Sequence, residues 1–223
     1  MKPDVYICGC SFSTGAYCTD TQVEYNTPYP ELYCIDNGLS FMNVAFNGSS
    51  NYGIAKQVEY AIKQQPKLIL VNVTTPLRFD WTTPEARLKD LPTLANFVFN
   101  NRENTIEPEI VKCVHSSALL TLVDGNKNRV LTEYVATFID PWLKSDIDRL
   151  MILGMINQLK SSRIPYKVVN FNDDYVFSMP HILQYTYKFF TKHFPIASDP
   201  NHFNADGHSM LSKVLSSTIP KSS

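Results

Sequence analysis

NYGIAKQVEYAIKQQPKLILVNV, residues 51–73, is the stretch that decides the fold. Ile54, Val58, Ala61 and Ile62 recur at spacings of three and four, which predicts a helix over Asn51 to Gln65 with one apolar face. Pro66 ends it, because proline lacks an amide hydrogen and disfavours helical geometry in the residue before it. Leu68 to Val73 follows as the clearest buried strand in the chain.

Upstream, Asp4 to Gly9 is a short apolar run ending in Gly9-Cys10-Ser11, a buried strand running into a tight turn. Tyr29 to Asp36 reads as a short helix stopped by Asn37-Gly38, and Phe41 to Phe46 as a second strand ending at Asn47-Gly48. The order β, helix, β, α, β predicts a parallel sheet with helical crossovers.

Downstream, Pro141 to Ser161 is a helix with a stripe of Leu143, Ile147, Leu150, Met151 and Gly154, the glycine marking a close helix-packing point. Tyr166 to Phe171 is another strand, and His181 to Lys192 a further helix. Asp206 is placed as the cap of a last helix carrying Met210, Leu211, Val214 and Leu215. The sum is one α/β domain over residues 1–223, a three-layer α/β/α sandwich around a mostly parallel sheet. Residues 80–140 form a mostly helical insertion in this reading.

Composition removes several classes. Hydrophobic residues make up 44% and charged residues 18% of the 223, enough for a core and too little charge for disorder. Twenty basic residues against twenty-one acidic, with no long Lys/Arg run, argue against a nucleic-acid partner. No apolar run approaches the roughly 18 residues of a membrane span, and the N-terminus lacks a signal-peptide core. Five cysteines without a CxxC pair suggest neither a disulfide framework nor a zinc site, which fits a reducing compartment; with neither a span nor a signal core, the expected setting is cytoplasmic or virion-associated.

Two segments carry candidate chemistry. Ser11 follows the first strand, at the sheet edge where α/β folds place ligands. Asp199-Pro200-Asn201-His202 lies just before the last helix, so one segment offers a base and a carboxylate to orient it. Each alone has a plain structural reading: a turn serine, and an Asx turn feeding a helix cap. Cys10 is a rival nucleophile beside Ser11. His193, Asp199, His202, Asp206 and His208 are loosely clustered but match no metal-ligand spacing.

Together the two segments resemble those of the SGNH (GDSL-like) hydrolases. Gly9-Cys10-Ser11-Phe12 is similar to the family's first block and Asn43 to Gly48 to its second. Asp199-Pro200-Asn201-His202 with Gly207 is similar to its last. The resemblance implies a flavodoxin-like fold and a serine esterase without cofactor or metal. It implies Ser11 as nucleophile, His202 as base and Asp199 as its orienting carboxylate, with Ser11 and Gly48 as oxyanion donors. Three of the eight glycines, Gly9, Gly48 and Gly207, fall in these blocks.

The chain departs from the family at two points. Cys10 stands where the first block has Asp. The third block, Gly-x-Asn-Asp, is absent: the strand ends Val73-Thr74-Thr75-Pro76-Leu77-Arg78, putting Thr75 or Pro76 in place of the oxyanion Asn. Losing one such donor typically costs about 10²–10³ in kcat. A threonine hydroxyl donates and a proline does not, so Thr75 is the expected substitute, with Asn51 or Arg78 as other recruits. Arg78 and Trp81 are candidates for the substrate side, Trp81 stacking on a sugar ring, against the plain reading of a surface Arg78–Asp80 pair beside a half-buried tryptophan. The implied substrate is a small acyl ester, an O-acetyl group on a carbohydrate. Alternatives are an acyl-lipid esterase or thioesterase, a non-catalytic glycan-binding or virion protein, and a homo-oligomer interface in the aromatic C-terminal half.

Overall fold

The computed structural model describes residues 2–18, 23–47, 49–76, 78–82, 111–115, 140–171, 177, 179–184, 187–196 and 199–219. In chain order the elements are β1 (Val5–Cys8), α1 (Ser11–Thr14), β2 (Ala16–Cys18), β3 (Val23–Tyr25), α2 (Tyr29–Asp36), β4 (Phe41–Asn43), α3 (Asn51–Gln64) and β5 (Leu68–Val73). There follow β6 (Arg78–Thr82), β7 (Val111–His115), α4 (Pro141–Ser162), β8 (Tyr166–Asn170), β9 (Ile182–Gln184), α5 (Tyr187–His193), β10 (Pro195–Ile196), β11 (Asp199–Phe203) and α6 (Ala205–Thr218).

Five strands pair in the order β4-β1-β5-β8-β9, and every pairing is parallel. Side chains alternate across a strand, so each strand feeds two cores. Tyr6, Cys8, Ile69, Val71, Val73 and Val168 pack with Ile54, Val58 and Ala61 of α3 and Ile152, Met155, Ile156 and Leu159 of α4. Val5, Ile7, Leu68, Leu70 and Val169 face the other way, toward Tyr33 and Cys34 of α2, Phe190 of α5, and Leu211 and Leu215 of α6. The fold is therefore α/β, with a parallel central sheet covered by helices on both sides. Burying each such aliphatic side chain is worth about 1.5–3 kcal/mol.

Residues 51–73 fold as their pattern predicts: α3 starts at the Ser50 cap, whose side chain accepts from the Gly53 amide, and ends at Gln65 just before Pro66. Elsewhere the sequence misleads in instructive ways. On α4 the stripe of Leu143, Ile147 and Leu150 faces outward, and Trp142 beside it is 85% exposed. The inward face carries Asp148, Ile152, Met155, Ile156 and Leu159. The Lys144–Asp148 pair, with its carboxylate buried and its lysine half-buried, interrupts that face, so apolar periodicity selects the wrong side. Gly154 is exposed, and a Cβ there would meet no atom within 4 Å, so it is not a packing point.

The predicted helix from His181 to Lys192 begins as β9, which completes the sheet beside β8; α5 starts only at Tyr187. Ladder bonds to β8 override local propensity there. The last helix is capped by Asn204, whose side chain accepts from the Gly207 amide, and Asp206 lies inside the first turn. Most of the predicted insertion at 80–140 lies outside the described residues. Its described strands, the end of β6 from Asp80 to Thr82 and all of β7, pair antiparallel, in keeping with their Trp, Thr and Val content.

Candidate active site

The carboxyl ends of β1, β4 and β5 bring three loops together. After β1 the chain turns at Gly9 and Cys10 into the single turn of α1. A Cβ on Gly9 would collide with Ser13 and press within 3.2 Å of Asn72 Cβ, so only glycine lets the turn close. Gln57 of α3 holds this glycine from both sides: it accepts from the Gly9 amide at 2.6 Å and donates to the Gly9 carbonyl at 3.2 Å. The same Gln57 amide donates to Ser49 Oγ at 3.1 Å, linking the first loop to the second.

The amides of Ser13 and Thr14 donate to the Cys10 carbonyl, which leaves Ser11 at the head of the turn. Its own amide is among the first-turn N–H groups that have no partner inside the helix. Ser11 is 7% exposed, and its Oγ lies 2.8 Å from His202 Nε2. The His202 ring stacks on Phe12 at 5.1 Å between centroids, and Phe12 packs in turn on Phe203 and Phe171. Two segments 191 residues apart in sequence thus meet in one hydrogen bond.

His202 sits on β11, which pairs with β10, rather than on the turn expected from sequence. Asp199 is the first residue of that strand, opposite Ile196; its side chain is outside the described residues. Gly48 also lies outside them. The strand and loop before it are tied to α1 and α2: Asn43 donates to the Ser13 carbonyl at 2.7 Å and to Glu31 of α2 at 2.6 Å, and Thr14 Oγ1 donates to Asn47 Oδ1.

No family model matches the chain, and no curated protein matches it. Among solved structures, a carbohydrate esterase whose active site displays divergent catalytic and non-catalytic binding functions superposes with a TM-score of 0.53 and 9% identity, covering 99% of this chain and 69% of that one. The likeness is one of fold. It places the chain's α/β architecture beside that of an esterase at very low sequence identity.

The remaining sequence-predicted residues separate. Cys10 is fully buried with its thiol 3.8 Å from Asn72 Oδ1, whereas Ser11 Oγ meets His202, so Ser11 is the better nucleophile candidate. Thr75 is half-buried in the loop after β5. Asn51 is not a cleft donor: its Nδ2 donates to the Thr74 carbonyl and to Asp148 Oδ2, and its Oδ1 accepts from the Thr74 amide. Arg78 donates to the Ser49 carbonyl at 3.3 Å, so its guanidinium lies against the second loop. Trp81 is in β6 opposite Lys112, with its side chain outside the described residues.

Beside the site, His208 is 2% exposed and accepts the Tyr29 amide hydrogen at Nδ1. Burial first, and then the proximity of His202, push its pKa down to about 4, so it stays neutral. Among the described residues no group of three or more His, Cys, Asp or Glu side chains gathers as metal ligands. None of the described helices is long and apolar enough to cross a membrane. Sequence reasoning missed Gln57, Asp148 and Lys144. Gln57 left a readable trace, since it falls on the apolar face of α3 between Ile54 and Val58.

Proposed function

We propose that this chain is a serine esterase of SGNH type that hydrolyses a small acyl ester through Ser11, His202 and Asp199. The observation that carries the reading is the 2.8 Å approach of Ser11 Oγ to His202 Nε2 at the carboxyl edge of a parallel sheet. A serine hydroxyl is a poor nucleophile until a base within hydrogen-bond reach takes its proton. His202 is within that reach, and its ring is held by stacking on Phe12.

In the proposed reaction, Ser11 Oγ attacks the acyl carbonyl while His202 Nε2 accepts the hydroxyl proton. The tetrahedral oxyanion is received by the Ser11 and Gly48 amides and the Thr75 hydroxyl. His202 returns the proton to the leaving alcohol, giving the acyl-enzyme. Water then repeats the sequence in reverse, with His202 again as base. Asp199, three residues before His202, holds the imidazole tautomer and offsets the imidazolium charge. The chemistry needs no cofactor. All of residues 1–223 are read as one domain, with 80–140 inserted in it.

The substrate we favour is an O-acetyl ester on a carbohydrate, in keeping with the carbohydrate esterase of similar fold. A second reading is favoured by one observation: Thr74-Thr75-Pro76 stands where SGNH enzymes carry an amide donor. A chain lacking that donor can keep the scaffold to bind a glycan without turning it over. Hydrolysis of p-nitrophenyl acetate by wild type and Ser11→Ala separates the two. The esterase reading expects turnover that falls to background in Ser11→Ala. Equal rates in both proteins exclude Ser11 from the reaction, and glycan binding without turnover favours the binding module.

A further inference from the structure

We propose that Asp148 of α4 is a positioning residue for the Ser11 site, acting through Asn51 and Lys144 to fix the loop that presents Thr75. The inference rests on the esterase reading above and names how that site replaces its missing amide donor.

Asp148 is 1% exposed, and each carboxylate oxygen meets a different donor. Oδ1 accepts from Lys144 Nζ at 2.5 Å, and Oδ2 accepts from Asn51 Nδ2 at 3.3 Å. Both donors then reach the loop after β5. Asn51 takes the Thr74 amide at 3.0 Å and gives to the Thr74 carbonyl at 3.1 Å, pairing that backbone as a neighbouring strand would. Lys144 gives to the Pro76 carbonyl at 2.9 Å. Thr74 and Pro76 are therefore gripped from one carboxylate, and Thr75 is the residue between them.

The carboxylate also decides which way the Asn51 amide faces. A flipped Asn51 would set its carbonyl oxygen against both the Asp148 carboxylate and the Thr74 carbonyl, three acceptors with no proton among them. With the observed orientation enforced, the backbone on both sides of Thr75 is held, at Thr74 by Asn51 and at Pro76 by Lys144. A hydroxyl on a loop otherwise loses the advantage of a preorganised oxyanion donor, whose effect depends on being in place before the charge develops.

The test uses Asp148→Asn, which keeps the shape but cannot accept from both donors with two oxygens. Removing one partner of a buried ion pair strands the other, so Lys144→Met/Asp148→Asn is made alongside it to remove the unpaired ammonium. Both are compared with Thr75→Val and with Thr75→Val/Asp148→Asn. The readouts are kcat and KM for p-nitrophenyl acetate, and amide hydrogen exchange at Thr74 and through β5. We expect kcat to fall about 10- to 100-fold in both Asp148 variants, with KM within about twofold. Thr74 should exchange at least about tenfold faster while β5 stays protected. Adding Asp148→Asn to Thr75→Val should cost nothing further in kcat.

Wild-type kcat with unchanged Thr74 exchange overturns the proposal, as does a full additional loss in the Thr75→Val background. Loosening of the whole of β5 overturns it too, since that is a structural effect. If Ser11→Ala hydrolyses as fast as wild type, the esterase reading fails by itself. The exchange data then decide whether Asp148 fixes the loop.

Discussion

Gly207 and His208 stand next to each other, and each carries a consequence that can be measured. A Cβ on Gly207 would lie 2.8 Å from Phe194 Cβ and 3.0 Å from Phe203 Cβ, both close to rigid backbone. Gly207→Ala should therefore destabilise by about 1–3 kcal/mol in urea unfolding, an overpacking cost. Because Phe203 follows His202 on β11, the same change should also lower activity. His208 makes stability pH-dependent. Its folded pKa of about 4 lies below the ordinary value of 6.5, so between these the unfolded chain binds the extra proton. Its contribution is whole above pH 6.5 and is lost as pH falls toward 4, by roughly 3 kcal/mol at about 1.4 kcal/mol per unit. Unfolding midpoints of wild type and His208→Gln at pH 7 and pH 5 check this: the wild type should decline more steeply. Parallel declines would remove His208 as the source. The pairing of Ser11 with His202 could be suspected from sequence because both residue types carry chemistry and Gly9 marks the turn before Ser11. The roles of Gln57, Asn51 and Asp148 could not, since a buried polar side chain takes its meaning from a partner that only the fold supplies.

At the level of elements, legibility followed the number of signals that agreed. Residues 51–73 had periodicity, a Ser50 cap, a Pro66 stop and an apolar strand, and all pointed one way. On α4 they conflicted, because the inward face carries the Lys144–Asp148 pair and the outward face carries Trp142, Leu143, Ile147 and Leu150. The structure reverses the energetic ranking the stripe implies. Leu150, 61% exposed, should tolerate Leu150→Ala within about 0.5 kcal/mol. Leu159, fully buried against the sheet, should lose about 2–5 kcal/mol on Leu159→Ala. Urea denaturation of the two variants is sufficient, and comparable losses would contradict the assigned face. β9 was illegible for another reason: three residues of ladder to β8 outweigh the helical pattern around them, and local sequence holds no record of that pairing.

On the scale of the whole molecule, one parallel sheet does the positioning. Its carboxyl edge places Ser11 after β1, the second loop after β4 and Thr75 after β5, while β11 brings His202 across from the C-terminal end of the chain. Gln57 ties the first loop to the second, and Asn51 ties the third to α3, so the three loops are fixed to one another through a single helix. We propose that this assembly makes Ser11 a nucleophile with His202 as its base. A fluorophosphonate probe followed by peptide mass mapping tests it most directly. One adduct is expected, on Ser11, absent in Ser11→Ala and formed about 10²–10⁴ times more slowly in His202→Gln, the usual range for loss of a general base. Folded wild-type protein that stays unlabelled, or carries its adduct on another residue, would contradict it.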